Sequence, residues 1–149
     1  MRGRRLAVFL FGAAISLLSL SCSSPQQRVK KVVLGLERAI EDRNLLKLAD
    51  YLSPTYKDPY GQGRAETLGY FKWAFEQFDG IDLSLGPFDP KIAEDGQTAS
   101  LAFNVTVRVK ERNSKKVEDQ DVHVTLNLRK EDGHWRVISA YPDEPLSYP

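Results

Sequence analysis

The sequence predicts an α+β domain in which three N-terminal helices pack in the concave face of a curved antiparallel sheet. Residues 98–141 contain three stretches in which apolar and polar residues alternate. Alternation with a period of two is typical of antiparallel strands that bury one face and expose the other. Residues 24–78 instead repeat their apolar positions every three or four residues, which indicates helices with one apolar face. These helices would cover the buried face of the sheet.

The N-terminal segment predicts export and a lipid anchor. MRGRR is basic, and the uncharged, largely apolar run Leu6–Leu20 is shorter than a typical membrane span, which is the pattern of a secretory signal peptide. Ser21-Cys22 resembles the cleavage site of bacterial lipoproteins, where the cysteine is lipidated and becomes the first mature residue. We therefore predict a signal peptide over residues 1–21, a lipidated tether over residues 22–25 and attachment to a membrane of the bacterial cell envelope. An ordinary signal peptide with a bystander cysteine is the alternative.

Composition predicts one globular domain, with 42% hydrophobic and 28% charged residues. Cleavage before Cys22 would remove three arginines and change the formal net charge from +1 to −2. A nearly neutral chain without basic clusters gives no support for a nucleic-acid partner. Cys22 is the only cysteine. An internal disulfide is therefore excluded, and the fold must depend on its core.

Two helices begin the mature domain. Ser24 is a predicted N-cap, Pro25 follows it at the first helical position, and Gln27 completes a capping box. Asn44 can cap a second, short helix, which ends before Pro54 because proline disfavours helix in the residue that precedes it. We interpret the apolar stripe of the first helix as its packing surface on the sheet. That stripe consists of Val29, Val32, Val33, Leu36 and Ile40.

The third helix is predicted from about Ala65 to Phe78, after the loop TYKDPYGQG. It is rich in aromatic residues, which either line a ligand cavity or simply fill the core with the largest available side chains. They are Tyr70, Phe71, Trp73, Phe75 and Phe78.

The strands follow the helices. A strand is predicted over Ile81–Leu85 after a break at Asp79-Gly80, and Lys91–Ala93 is expected to resume pairing. The three long strands are predicted over residues 98–110, 121–130 and 134–141, and the proline-rich tail over residues 142–149 is expected to be irregular.

In the order of its helices and strands the chain resembles the nuclear transport factor 2-like superfamily, which includes ketosteroid isomerase, scytalone dehydratase and polyketide cyclases. The resemblance covers about residues 26–141 and depends on AIEDRNLLKLADYLSPTYKDPYGQG, on the aromatic third helix and on DGHWRVISAY. It implies a cystatin-like cone, in which three helices and the curved sheet surround a cavity. Members range from enzymes to binding proteins, so the fold leaves the function open.

The resemblance also implies a candidate catalytic residue. Asp58, followed by Pro59, falls where isomerase-type members carry a general-base aspartate that removes a proton next to a carbonyl. The positions of their two oxyanion donors are matched by about Leu36 and by Val124–Leu126, which supply neither a phenol nor an acid. The developing negative charge would then lack its main stabilisation. The structural alternative for Asp58 is a loop aspartate that bonds nearby backbone amides.

Two surfaces are candidates for binding. An apolar cavity for a small apolar or aromatic ligand would draw its orienting groups from the helices and the loop. Its candidate lining residues are Tyr56, Tyr60, Tyr70, Trp73 and Phe103. The outer sheet face is either plainly solvated or the contact surface of a homodimer. It would present Asn104, Thr106, Arg108, His123, Thr125, Asn127 and Arg129.

No metal site and no cofactor are predicted, because neither His123 nor His134 has a second ligand at suitable spacing. The favoured function is a lipid-anchored binding or accessory module of the cell envelope that acts through the cone cavity or the outer sheet face without catalysis. The alternative is a cavity lyase or isomerase with Asp58 as general base.

Overall fold

A computed structural model describes residues 22–143, which form an α+β domain of three helices packed against one antiparallel sheet, as predicted. The signal-peptide prediction and most of the predicted tail lie outside these residues. The helices are α1 (Pro25–Glu41), α2 (Leu45–Tyr51) and α3 (Arg64–Gln77). The strands are β1 (Phe78–Leu85), β2 (Lys91–Ile92), β3 (Thr98–Glu111), β4 (Val117–Glu131) and β5 (His134–Pro142).

The first two helices start at the predicted caps. Ser24 Oγ accepts a hydrogen bond of 3.2 Å from the Gln27 amide, and Gln27 Oε1 accepts one of 3.1 Å from the Ser24 amide. Asn44 Oδ1 accepts the Lys47 amide at 3.0 Å. Each cap satisfies a helix N–H that has no partner within the helix, and such a cap contributes about 1 kcal/mol.

The junction of α3 and β1 differs from its prediction. The helix ends at Gln77, and Phe78 adopts an extended backbone (φ −111°, ψ 136°) as the first residue of β1. Asp79-Gly80, predicted to separate the two elements, lies inside the strand at a register shift between Phe78 and Gly80. Pairing of Phe78 with Glu111 of β3 therefore overrides the local turn preference.

The sheet has the order β1-β3-β4-β5, and the short β2 pairs with the start of β3. All neighbours are antiparallel. The predicted alternation is confirmed in the long central pair, where Phe103 lies opposite Val124 and Leu101 opposite Leu126 on the inner face. β5 continues one residue beyond its prediction, since Pro142 pairs with Val124.

The free edge of β5 is covered by the segment that follows α2. The Ser53 amide donates to the Val137 carbonyl at 2.9 Å, and the Lys57 amide donates to the Ile138 carbonyl at 3.0 Å. These bonds satisfy carbonyls that an open edge would leave exposed. They also fix the following loop, which contains Asp58, beside the end of the sheet.

The core lies between α1, the segment after α2 and the inner face of the sheet. Its members are apolar and almost fully buried, so the inner faces of β3, β4 and β5 pack directly against α1. They are Val29, Val33, Leu52, Tyr56, Ala99, Leu101, Phe103, Val105, Leu126, Leu128, Trp135 and Val137.

Candidate functional site

The Asp58 side chain organises its own loop. Its Oδ1 atom accepts the amides of Tyr60 at 2.9 Å and Gln62 at 2.8 Å. Its backbone amide donates to the Gln62 carbonyl at 2.9 Å, and its carbonyl accepts the Gly61 amide at 3.1 Å. Gly61 has a φ of +85°, a conformation that glycine adopts without strain. Within residues 22–143 the second carboxylate oxygen makes no hydrogen bond. One oxygen therefore stabilises the loop, and the other could accept a hydrogen bond from a ligand.

Tyr56 precedes Asp58 by two residues and is buried in the core. Its hydroxyl donates a hydrogen bond of 3.3 Å to the Ala140 carbonyl. Burial raises the pKa of Tyr56, and the negative charge of Asp58 raises it further. The phenol therefore remains a protonated hydrogen-bond donor throughout the physiological pH range.

The five cavity candidates lie on different elements and differ in burial. Tyr56 and Phe103 belong to the core, where Phe103 packs on Phe88 with a centroid distance of 5.2 Å. Tyr70 and Trp73 are half-buried on α3, with their ring centroids 6.0 Å apart.

Tyr60 differs from its prediction as an interior residue. It is 55% exposed, because the tight turn at Gly61 presents it to solvent. It lies on the loop surface rather than in the cone.

The interior of the cone offers little for catalysis. Leu36 and Val124, at the expected oxyanion-donor positions, are partly buried against the core, and Leu126 is part of it. Among the described residues Ser53 is the only buried polar side chain apart from the phenol of Tyr56 and the indole of Trp135. A proton taken by Asp58 would therefore leave negative charge on a substrate with no acid, amide or imidazole from the inner sheet to stabilise it.

Ser53 connects the loop after α2 to the end of β4, a relationship that sequence reasoning missed. Its hydroxyl donates to Glu131 Oε1 at 2.8 Å and lies 3.0 Å from the Thr55 hydroxyl. Arg129 Nη2 donates to Glu131 Oε1 at 2.6 Å and to Thr55 Oγ1 at 2.9 Å. Arg136 Nη1 lies 3.8 Å from Glu131 Oε2. No sequence periodicity marks a pair of residues so far apart in the chain.

The charge state of Glu131 follows from these neighbours. Burial acts to raise the pKa of its carboxyl group, but hydrogen bonds from Arg129 and Ser53 and the positive charges of Arg129 and Arg136 outweigh burial and lower it. The carboxylate is therefore ionised at neutral pH and joins three chain segments as a structural cluster.

The outer sheet face carries three polar cross-strand pairs in direct register. Asn104 Oδ1 lies 2.7 Å from His123 Nδ1, and Thr106 Oγ1 donates to Asp121 at 2.6 Å. Arg108 donates twice to the Asp119 carboxylate, with both distances 2.7 Å, and this hydrogen bonding holds the pKa of Asp119 below its ordinary value. The face is thus polar, and contacts within it hold its side chains in place.

The two aspartates of these pairs, Asp119 and Asp121, were not predicted on this face, although both of their partners, Arg108 and Thr106, were. The second long strand was predicted to start at Asp121, whereas β4 starts at Val117. Extending the alternation toward the turn would have placed Asp119 opposite Arg108.

Two grooves lie outside the cone, along α1 and α2. The first has a volume of about 420 Å³ and the second about 450 Å³. They adjoin because Lys31, Lys47 and Tyr51 line both. A Cβ atom on Gly35 would lie 2.2 Å from the Tyr51 hydroxyl oxygen, so the absence of a side chain at Gly35 makes room for this phenol. None of the five predicted cavity residues lines either groove.

Three helices in the concave face of a five-stranded antiparallel sheet define the cystatin-like cone of the nuclear transport factor 2-like class. Within that class, the SnoaL-like domain model matches residues 29–140, and the chain belongs to this family. No curated protein matches the sequence.

Solved structures from several bacteria share the fold at low identity. A candidate scytalone dehydratase from Novosphingobium aromaticivorans superposes with a TM-score of 0.71 at 11% identity, covering 77% of this chain and 80% of that one. A nuclear transport factor 2-like protein from Salmonella enterica serovar Typhimurium gives 0.67 at 17% identity, with 84% and 94% covered. A cystatin-like protein of unknown function from Nostoc punctiforme gives 0.61 at 15% identity, with 80% and 93% covered.

Two further findings concern membranes and metals. No helix in residues 22–143 is long and apolar enough to cross a bilayer. In the same part of the chain, no three histidine, cysteine or acidic side chains cluster closely enough to hold a metal ion.

Proposed function

We propose that the mature chain is a lipid-anchored binding or accessory module of the bacterial cell envelope, and that it acts through the outer face of its sheet rather than by catalysis. The observation that carries this proposal is the contrast between the two faces. The inner face packs apolar side chains against α1, whereas the outer face holds three aligned polar pairs in solvent.

A second copy of this chain is the partner that best suits the outer face. The face presents both signs of charge side by side, as in the pair Arg108–Asp119. A two-fold dimer brings one patch against itself, so such a patch can match itself when it contains donors and acceptors together. The central strands β3 and β4, with 14 and 15 residues, provide the length for a contact of ordinary interface size.

Sedimentation of a face variant tests this contact. Ala102 is exposed on the outer face of β3, opposite Thr125, and makes no side-chain hydrogen bond there. We expect Ala102→Arg to convert a dimer into a monomer at equal protein concentration. Ala93→Arg, at the exposed residue that follows β2, should leave the mass unchanged. A wild-type monomer at all concentrations, or a dimer that survives Ala102→Arg, would refute the outer-face contact.

The anchor is supported by the position of Cys22. The cysteine is exposed and precedes the Ser24 cap by two residues, so a lipid on its sulfur would attach directly at the start of α1. Mass spectrometry of the mature N-terminus tests the anchor. A diacylglyceryl-modified cysteine at the N-terminus is expected, and an unmodified terminus downstream of Cys22 would rule it out.

One observation favours the alternative of a cavity lyase or isomerase. The Asp58 carboxylate lies near the buried Tyr56 phenol, which could donate a hydrogen bond to a substrate oxygen if it released the Ala140 carbonyl. One solved structure that shares the fold is a candidate scytalone dehydratase. Loss of turnover of a carbonyl substrate in Asp58→Asn, with the fold intact, would favour this alternative over a binding module.

A further inference from the structure

The two grooves along α1 and α2 form a basic surface that the proposed dimer contact does not use. Its cationic side chains come from both helices and from the start of β5. They are Arg28, Lys31, Arg38, Lys47 and Arg136, and together we call them the helical basic face.

The helical basic face is only partly neutralised by its neighbours, among them Glu37 beside Arg38. Its five cations share the grooves with two carboxylates, Asp42 and Asp50. Of the five, Arg136 alone forms an ion pair within the described residues, with Glu131. The chain after the predicted cleavage nevertheless has a formal charge of −2. The groove lining thus has a net charge of +3, whereas the rest of the chain after cleavage has a net charge of −5.

Exposed leucines accompany these cations. Leu34 lines the first groove and is 43% exposed, and Leu46 on α2 is 83% exposed. Leu46 is followed by Lys47 and lies one turn before Asp50, both of which line the second groove. Exposed leucine next to lysine is the composition of surfaces that lie at the boundary between lipid headgroups and acyl chains.

One end of the helical basic face, at Arg28, lies where the anchor would be attached, whereas Arg38 lines the groove toward the other end of α1. Only Ser23 and Ser24 separate Cys22 from Pro25, and this length of chain spans about 10 Å at most. The first turns of α1 and the β4–β5 turn line the same groove, through Arg28 and Gly133. A lipid on Cys22 would therefore hold this end of the domain within about 10 Å of the bilayer surface.

We propose that the helical basic face lies on the anionic headgroups of the bilayer that holds the Cys22 lipid. The proposal depends on the lipid anchor of the proposed function. Charge complementarity acts over about one Debye length, roughly 10 Å, which the short tether does not exceed. In this orientation α1 and α2 face the membrane, and the β3–β4 turn lies at the end of the 15-residue β4 that is farther from the anchor.

Position-specific labels on the anchored protein test this orientation. Lipidation consumes the only thiol, so a second cysteine introduced into the full chain can be labelled uniquely with a fluorophore. Leu46→Cys reports on α2, and Lys115→Cys reports on the β3–β4 turn. The readout is quenching by acrylamide, a neutral solute, in vesicles of phosphatidylcholine with or without phosphatidylglycerol.

We expect phosphatidylglycerol to reduce quenching at position 46 by about threefold and to leave position 115 unchanged. The triple substitution Arg28→Gln, Lys31→Gln, Lys47→Gln should restore quenching at position 46. The matched triple Lys72→Gln, Lys110→Gln, Lys115→Gln removes the same charge from exposed positions outside both grooves and should have no effect. Equal quenching at position 46 in both kinds of vesicle, or equal effects of the two triples, overturns the proposal.

Failure of the anchor is distinguished by the mass of the mature N-terminus. If Cys22 carries no lipid, the full chain is sedimented with phosphatidylglycerol vesicles instead. Salt-sensitive binding that only the Arg28, Lys31, Lys47 triple removes would sustain the membrane-binding face without the anchor. Absence of vesicle binding would overturn the membrane-binding role of the helical basic face. An acidic protein would then be the next ligand to test.

Discussion

The Ser53 hydroxyl donates a 2.8 Å hydrogen bond to Glu131, a residue 78 positions later in the chain, and Ser53 is 0% exposed. Through this bond the segment after α2 is fixed to the end of β4. The same segment covers the edge of β5 and leads into the Asp58 loop. The contact therefore determines where the candidate catalytic loop lies relative to the sheet.

Replacement of Ser53 should destabilise the whole domain. Ser53→Ala removes one of the hydrogen bonds to Glu131, which keeps those from Arg129, and leaves the Thr55 amide without its partner, so we expect a loss of about 1–3 kcal/mol in the free energy of unfolding. Urea denaturation followed by circular dichroism measures it. Ser100→Ala, exposed on the outer sheet face, should change the stability by less than about 0.5 kcal/mol. Equal effects of the two substitutions would contradict a structural role for Ser53.

Stability should decrease in acid partly through Glu131. The pKa of this carboxyl is lowered by the fold from its ordinary value of 4.5. A group with a depressed pKa in the folded state contributes stability that is complete above the unfolded value and is lost as the pH falls through the folded value. We therefore expect Glu131→Gln to flatten the pH dependence of the unfolding free energy below pH 4.5, measured by urea titrations at several pH values. Glu94→Gln in the exposed β2–β3 turn is the control, and an unchanged slope in Glu131→Gln would disprove the role of Glu131.

Two substitutions at Asp58 separate loop structure from chemistry. Asn retains a carbonyl oxygen that can accept the Tyr60 and Gln62 amides, whereas Ala removes it. We expect Asp58→Asn to keep the wild-type stability within about 0.5 kcal/mol and Asp58→Ala to lose about 1 kcal/mol. Thermal unfolding of both variants measures the difference. If both lose the same stability, the loop depends on the charge of Asp58 rather than on its amide contacts.

Two helical glycines should respond in opposite ways to alanine. Nothing lies within 4 Å of a Cβ added at Gly69 on α3, so Gly69→Ala should stabilise the domain by about 0.5–1 kcal/mol. In Gly35→Ala the new methyl group would overlap the Tyr51 ring, which must move out of its place between the grooves. We expect this variant to be at least about 1 kcal/mol less stable than Gly69→Ala in urea unfolding. Equal stabilisation of both variants would mean that Tyr51 moves aside freely.

Much of the fold was predictable because the signals are local. Side chains in a strand alternate between two faces, so Leu101, Phe103 and Val105 identified the inner face of β3 before any pairing was known. The caps at Ser24 and Asn44 were equally readable, since a cap acts within three residues.

The α3–β1 junction and the candidate site were less predictable. Phe78 fits the aromatic pattern of α3 but pairs with Glu111, which comes 33 residues later. The pattern also grouped Tyr60 with Tyr56 as cavity residues. The turn at Gly61 separates them, with Tyr56 in the core and Tyr60 in solvent.

The sequence by itself thus determined the fold class, the order of the elements and the apolar side of the sheet, because these follow from spacings of a few residues. The tertiary structure alone decided which distant groups meet. The Ser53–Glu131 bond and the Arg108–Asp119 pair depend on strand register and on how the loop after α2 lies along β5. Register is set by the combined packing of the whole inner face, so no single stretch of the chain encodes these contacts.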